Sequence, residues 1–189
     1  MYDGLQLPTA LAYSPEGKLY VAQLAGGENA ANGQILLLEA GKKLVVLEGL
    51  FKPTGLAWRD DQLYIAAGPE LLRSRPLDDE SMSQPETLVQ DLARNGRSAG
   101  HVTLLPDGAL LFEQSGSVSE DETGRLFVLP PGSETAQEIA RGLKNSYAHT
   151  VGPDGTIYVS DVGEDPVDGT APPEEINVLF PNADYGWPH

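Results

Sequence analysis

The chain has 189 residues, of which 28 are acidic and 12 are basic, so its formal net charge at neutral pH is -16. This charge would repel nucleic acid and anionic membrane surfaces, and we expect neither as a partner. Cation binding and a solvated acidic surface are both compatible with it. Cysteine is absent, which excludes disulfides, a thiol nucleophile and thiolate metal sites. No apolar run approaches the roughly 18 residues that span a bilayer, and residues 1–4 show no signal-peptide pattern.

Glycine and proline are frequent, with 21 and 15 residues, and they follow no collagen-like period. This composition predicts one domain of many short strands joined by turns. In chain order, four stretches repeat a strand, a tight turn and an alternating second strand. The aromatic position of that second strand falls at Tyr20, Tyr64 and Tyr158, with Leu111 in the third copy. The spacings are 44, 47 and 47 residues, which indicates a repeat protein.

Each of the first three copies continues with a third and a fourth short strand, as at 34–38 and 44–47. Four strands in roughly 40 to 50 residues are typical of a β-propeller blade. We therefore predict an all-β fold, a single or partial propeller of antiparallel four-stranded blades at about 5–50, 51–95, 96–143 and 144–189. A β-sandwich is the alternative, although it does not require a constant period. The fourth copy shows no clear outer strand, so we expect self-association through an exposed blade edge.

The last quarter of the chain carries four motifs in a fixed order. They are Gly142-Leu143-Lys144-Asn145, Asp161-Val162-Gly163, Glu174-Glu175-Ile176-Asn177 and Tyr185-Gly186-Trp187-Pro188. In order and spacing they resemble the soluble sugar dehydrogenases that depend on pyrroloquinoline quinone (PQQ), the glucose/sorbosone dehydrogenase family. Residues 7–11 and 19–22 resemble the first blade of that family. Its members are six-bladed propellers, so the resemblance covers the N-terminal four blades.

The resemblance implies a cofactor and a metal. Lys144 and Asn145 match a pair that contacts PQQ in the family, and the main-chain carbonyls of Gly163 and Glu164 match those that bind its calcium. Calcium takes six to eight hard oxygen ligands, although no spacing here matches an EF-hand. Further candidate oxygens for the calcium come from the acidic side chains nearby, namely Asp161, Glu174 and Glu175.

The catalytic base is where the sequence departs from the family. Family enzymes use a histidine that takes the proton from the sugar hydroxyl, and Arg97 stands at the aligned position. Arginine stays protonated and cannot act as a base. His101 and His149 begin strands in the third and fourth copies and are the remaining candidates, either facing the channel or serving as structural histidines.

We therefore expect a diverged or incomplete sugar-dehydrogenase-like oxidoreductase that acts on a small sugar or polyol, with PQQ and calcium as implied cofactors. The family resemblance implies a periplasmic or extracellular location. One alternative is a non-catalytic propeller fragment that serves as a binding or assembly module. A second is a calcium-dependent lactonase-like hydrolase, for which Asn145 and Asp161 could serve. That hydrolase would need a first-blade glutamate where Thr9 and Ala10 stand.

Overall fold

The structure is a computed structural model of the chain, and it describes residues 1–78, 81–92, 99–117, 123–163 and 173–187. All regular secondary structure in these residues is β-strand, as the composition predicts. The strands are β1 Pro8–Tyr13, β2 Leu19–Gln23, β3 Gly33–Glu39, β4 Lys42–Leu50, β5 Pro53–Arg59, β6 Gln62–Ala67, β7 Glu70–Ser74, β8 Glu86–Val89, β9 Val102–Leu104, β10 Leu110–Gln114, β11 Gly124–Leu129, β12 Gln137–Leu143, β13 His149–Val151, β14 Ile157–Asp161, β15 Glu175–Val178 and β16 Ala183–Asp184.

The strands form four separate sheets. Strands β1 to β4 and β5 to β8 make the first two sheets, β9 to β12 with β16 make the third, and β13 to β15 make the fourth. Apart from β16, sequence neighbours within a sheet pair antiparallel. The first strands of successive sheets contact one another, β1 with β5, β5 with β9 and β9 with β13. Four blades therefore stand around one axis, which confirms the predicted β-propeller and excludes the sandwich.

Apolar side chains fill the space between neighbouring blades. Between the first and second blades, the rings of Tyr20 and Trp58 lie 5.0 Å apart between centroids. Between the second and third blades, the buried Arg59 donates through Nη1 to the Leu129 carbonyl at 3.0 Å and through Nη2 to the Tyr64 hydroxyl at 2.7 Å. Burial of apolar surface between the blades is the main stabilising contribution to the fold. The blades are consequently one stacked core and not independent sheets.

The end of the described chain returns to the third blade. Strand β16 pairs parallel with the outer strand β12, and the Trp187 amide donates to the Gly142 carbonyl at 2.8 Å. Gly142 has φ 82°, and a Cβ there would lie 2.5 Å from the backbone nitrogens of Tyr185 and Gly186. Glycine is therefore required at this position. The Tyr-Gly-Trp motif therefore packs against the outer strand of the third blade. The fourth blade has three strands among the residues described.

The candidate site residues lie at one end of the propeller. Because the blades are meanders, the β2–β3, β6–β7, β10–β11 and β14–β15 connections lie at the same end as the connections between blades. This end, which we call the loop face, carries the Lys144–Asn145 segment after β12 and Gly163 after β14. Loops on a rigid scaffold are where binding residues concentrate. Within the residues described, no helix is long and apolar enough to cross a membrane.

Candidate functional site

The Lys144–Asn145 segment is fixed by a single carboxylate. Asp161 is buried at the end of β14, and its Oδ1 accepts hydrogen bonds from the Lys144 amide at 3.0 Å and the Asn145 amide at 2.8 Å. Its Oδ2 lies 3.1 Å from the same Lys144 nitrogen. In return, the Val162 amide donates to the Asn145 carbonyl at 3.1 Å. Hydrogen bonds to a carboxylate are among the stronger ones, so this segment is held rigidly against the fourth blade.

Burial raises the pKa of Asp161 above its ordinary value. The backbone amides of Asn145 and Lys144 act in the opposite direction, and the nearby charge of Glu175 adds to the rise. A carboxylate in a poorly solvated position stays ionised near neutral pH only when donors surround it. The backbone of the 144–145 segment supplies those donors.

The Lys144 side chain turns towards the end of β14. Lys144 is buried, and its Nζ donates to the Gly163 carbonyl at 2.5 Å. On the other side of the same glycine, the Gly163 amide donates to Glu174 Oε2 at 3.0 Å. The Lys144 ammonium therefore contacts the carbonyl of Gly163, and the Glu174 carboxylate contacts the amide of the same residue. We call Lys144, Gly163 and Glu174 the Gly163 clamp.

The oxygens assigned to calcium are already engaged. The Asp161 carboxylate accepts backbone amides, the Gly163 carbonyl accepts the Lys144 ammonium, and one Glu174 oxygen accepts the Gly163 amide. Glu175 lies opposite Asp161 in the β14–β15 ladder, and its Oε2 accepts the Asn177 amide group at 3.2 Å. Glu164 lies outside the described residues. In the part of the chain that the structure covers, no group of three potential metal-binding side chains occurs.

The two histidines of the sequence prediction form a pair between the third and fourth blades. Their rings lie 5.7 Å apart between centroids in an edge-to-face arrangement. His149 is buried, and its Nδ1 lies 2.8 Å from the Thr103 hydroxyl, while its Nε2 has no hydrogen-bond partner among the described atoms. Burial, with a smaller effect of the His101 charge, lowers the pKa of His149 to about 3. Burial also lowers the pKa of His101.

Both imidazoles are therefore neutral at pH 7. His101 is only partly buried and is the better placed of the two to accept a proton. A base with a pKa of about 3 holds a proton too weakly for efficient transfer near neutral pH. Arg97, at the position of the family base, lies outside the described residues.

Two further side chains belong to the loop face and were missed by the sequence analysis. Glu113 is buried at the end of β10, and Tyr147 lies two residues beyond Asn145. The pKa of Tyr147 is raised by burial first and then by the charges of Glu113 and Glu28. A signal was available, because Glu113 is an acidic residue that directly follows the apolar run Leu110-Leu111-Phe112.

No protein-family model and no curated protein sequence matches the chain. Solved structures do. The PQQ-bound aldose sugar dehydrogenase of Streptomyces coelicolor superposes with a TM-score of 0.77 at 20% identity, over 99% of this chain and 64% of that enzyme. This chain shares its fold. The resemblance to PQQ-dependent sugar dehydrogenases predicted from the motifs is therefore confirmed at the level of structure.

Other neighbours extend the comparison. The calcium structure of a Trichoderma reesei enzyme of carbohydrate-active enzyme family AA12 gives a TM-score of 0.71 at 16% identity, over 100% of this chain and 57% of that one. A gluconolactonase-like protein gives 0.64 at 16% identity, over 94% of this chain and 64% of that one. The chain thus spans less than two thirds of the length of each of these three neighbours, and at these identities they share its fold alone.

Proposed function

We propose that the chain forms part of a sugar oxidoreductase in which the Lys144–Asn145 segment holds an anionic quinone cofactor of the PQQ type. The observation that supports the proposal is the Asp161 carboxylate, which fixes both backbone amides of this segment on the loop face. A segment that is fixed before a ligand arrives binds it with a smaller ordering cost. The shared fold of the PQQ-bound aldose dehydrogenase adds to this support.

The residues present suit such a cofactor chemically. A carboxamide carries two N–H donors, and the carboxylate and quinone oxygens of PQQ are acceptors. The Asn145 side chain is partly exposed and makes no hydrogen bond to the part of the chain that the structure describes. When bound, PQQ accepts the electrons that leave the sugar. Asn145 would orient it, and Lys144 would hold the 144–145 segment in position through its contact with Gly163.

His101 is our candidate for the group that takes the proton from a sugar hydroxyl. Its imidazole is neutral at pH 7 because burial lowers its pKa, and it is less buried than His149. A neutral imidazole is the form that can accept a proton. The proposed substrate is an aldose or a related sugar or polyol, and the proposed location is periplasmic or extracellular.

Titration with PQQ tests this proposal directly. Quenching of tryptophan fluorescence should give saturable binding in the micromolar range, and glucose should then reduce an added dye. Asn145→Ala should weaken PQQ binding about tenfold, which corresponds to about 1.4 kcal/mol. Asn177→Ala, on β15, is the matched control and should bind normally. Absence of binding at micromolar PQQ would exclude the quinone function.

A non-catalytic assembly module is the second candidate, and the outer faces of the first and fourth blades favour it. Leu11 and Tyr13 are exposed on β1, and Tyr158 and Ile176 are exposed on the fourth blade. We propose that these faces mediate self-association. Within the chain, faces at the same repeat positions pack on each other between blades, so a second copy offers the complementary surface.

The geometry gives the lactonase alternative little support. Asn145 and Asp161 do lie together, with the Asn145 amide 2.8 Å from Asp161 Oδ1. The carboxylate is nevertheless engaged by backbone amides. Thr9, near the position where that site needs a glutamate, donates its hydroxyl to the Pro53 carbonyl at 2.6 Å. A calcium-binding triad therefore does not assemble from the described members of that predicted site.

A further inference from the structure

The Gly163 clamp contains a positive charge at the carbonyl that the family resemblance assigns to calcium. Lys144 Nζ lies 2.5 Å from the Gly163 oxygen, a close contact for a charge-assisted hydrogen bond. Calcium–oxygen distances are about 2.3–2.6 Å. A carbonyl oxygen that accepts the ammonium along this direction is not available to a calcium ion in the same position.

The carboxylates near this turn are engaged by backbone amides or by a neighbouring side chain. Asp161 contacts the Lys144 backbone amide, Glu174 contacts the Gly163 amide, and Glu175 lies next to Asp161 across the ladder. The Lys144 side chain is almost fully buried. A buried ammonium requires acceptors to offset its lost hydration, and the Gly163 carbonyl is one that the fold supplies.

We propose that the Lys144 ammonium is the resident cation of this part of the loop face and holds the Gly163 turn in place without a divalent metal. In this arrangement Lys144 is a positioning residue. It joins the segment after β12 to the turn after β14, and the Asp161 carboxylate makes the same connection through the backbone. The inference rests on contacts within the chain and does not depend on whether a quinone binds.

The first test uses the unmodified chain. Its midpoint of thermal unfolding should be the same in excess chelator as in a millimolar excess of calcium, and calorimetric titration should show no calcium binding. A ligand present at a hundredfold excess over its Kd would raise the midpoint by several degrees. Such a rise in the unmodified chain, with a stoichiometry of one calcium, would overturn the proposal.

The second test removes the charge. Lys144→Met keeps most of the side-chain volume and should lower the midpoint in chelator by roughly 3 to 8 °C. Calcium should partly restore the midpoint of this variant, because the Gly163 carbonyl is then free to bind a metal. A midpoint equal to that of the unmodified chain, or no response to calcium, would contradict the proposal.

Two controls separate this role from general packing. Lys144→Arg keeps a cation and should remain insensitive to calcium, which a purely steric role would not predict. Lys42→Met, at an exposed position of β4, should change neither the midpoint nor the response to calcium. If Lys144→Met fails to fold, the calcium titration of the unmodified chain and of Lys144→Arg still decides the question. PQQ is absent from all these measurements, so failure of the quinone proposal would not alter them.

Discussion

The interfaces between neighbouring blades and the outer faces of the first and last blades use the same repeat positions. The second-strand aromatic position is Tyr20 in the first blade, Tyr64 in the second, Leu111 in the third and Tyr158 in the fourth. The first three side chains are 5%, 1% and 0% exposed, whereas Tyr158 is 39% exposed. Every repeat has a large side chain at this position, and that side chain is buried where a following blade packs on it.

The opposite face of each blade shows the same difference. Leu56 on β5 is 4% exposed beneath the first blade, and its repeat counterpart Leu11 on β1 is 66% exposed. The N-terminal segment packs on another part of that first face, where Tyr2 and Leu5 contact the buried cluster of Val21, Leu36 and Leu38. Large apolar side chains on an outer face are typical of surfaces that bind a partner. Among the residues that the structure describes, both outer faces therefore carry the side-chain types that the inner blades bury against a neighbour.

Truncating the same repeat position in two environments gives the largest expected effect. Tyr20→Ala should destabilise the chain by about 3–5 kcal/mol, because it removes a buried ring that packs on Trp58. Tyr158→Ala should cost under about 1 kcal/mol, because that ring is only partly buried. Urea unfolding measures both. Equal losses would mean that Tyr158 is buried in solution by something bound to the outer face.

The histidine pair between blades three and four predicts a second difference between a buried interface and the outer faces, namely in how stability depends on pH. The pKa of His149 is about 3 in the folded chain, below the ordinary value of about 6.5. Between these values the unfolded chain binds a proton that the folded chain does not. Stability should therefore fall as the pH falls through this window, by up to about 1.4 kcal/mol per pH unit.

Urea unfolding at pH 7 and pH 5 checks this, with an expected loss of about 2 kcal/mol. His101, whose pKa is also lowered, should act in the same direction. Asp161 should act in the opposite direction at more acidic pH, because its raised pKa lets the folded chain bind a proton before the unfolded chain does. His149→Gln should flatten the slope. An unchanged slope in that variant would show that His149 is not the titrating group.

The repeat made the blades predictable, because Pro-Asp-Gly turns and alternating strands are local signals. The pairing of β16 with β12 was not predictable in this way. It pairs Ala140 with Ala183 and Arg141 with Asp184. The residues of each pair are over 40 positions apart in the sequence, and no local pattern specifies a parallel pairing at that separation. The periodic pattern ended at β15, so the sequence analysis had no basis for placing the last segment.

The residue types of the candidate site could be read from the sequence, whereas the contacts between those residues could not. The sequence placed Lys144 and Asn145 together and Asp161 near them, and the structure brings these three residues together. Whether a carboxylate accepts backbone amides or binds a metal depends on the path of a segment 16 or 17 residues away. The same holds for the Lys144 ammonium and the Gly163 carbonyl. Residue type limits the chemistry available, and the tertiary contact selects among the options.

The smallest expected effect on stability, with a measurable effect on assembly, concerns the outer face of the fourth blade. Ile176 is exposed on β15, on the sheet face it shares with its ladder partner Ser160. Ile176→Glu should change the free energy of unfolding by less than about 0.5 kcal/mol but should weaken self-association, because it places a charge on the apolar face. Sedimentation velocity over a wide concentration range measures the association.

Leu44→Glu, at an apolar position of the outer strand β4 that is 43% exposed against 78% for Ile176, is the control and should leave association unchanged. Added salt should strengthen association of the unmodified chain, since each copy carries a net charge of -16 and screening reduces the repulsion between copies. A chain that remains monomeric at all concentrations and salt levels would show that the two outer faces do not bind each other.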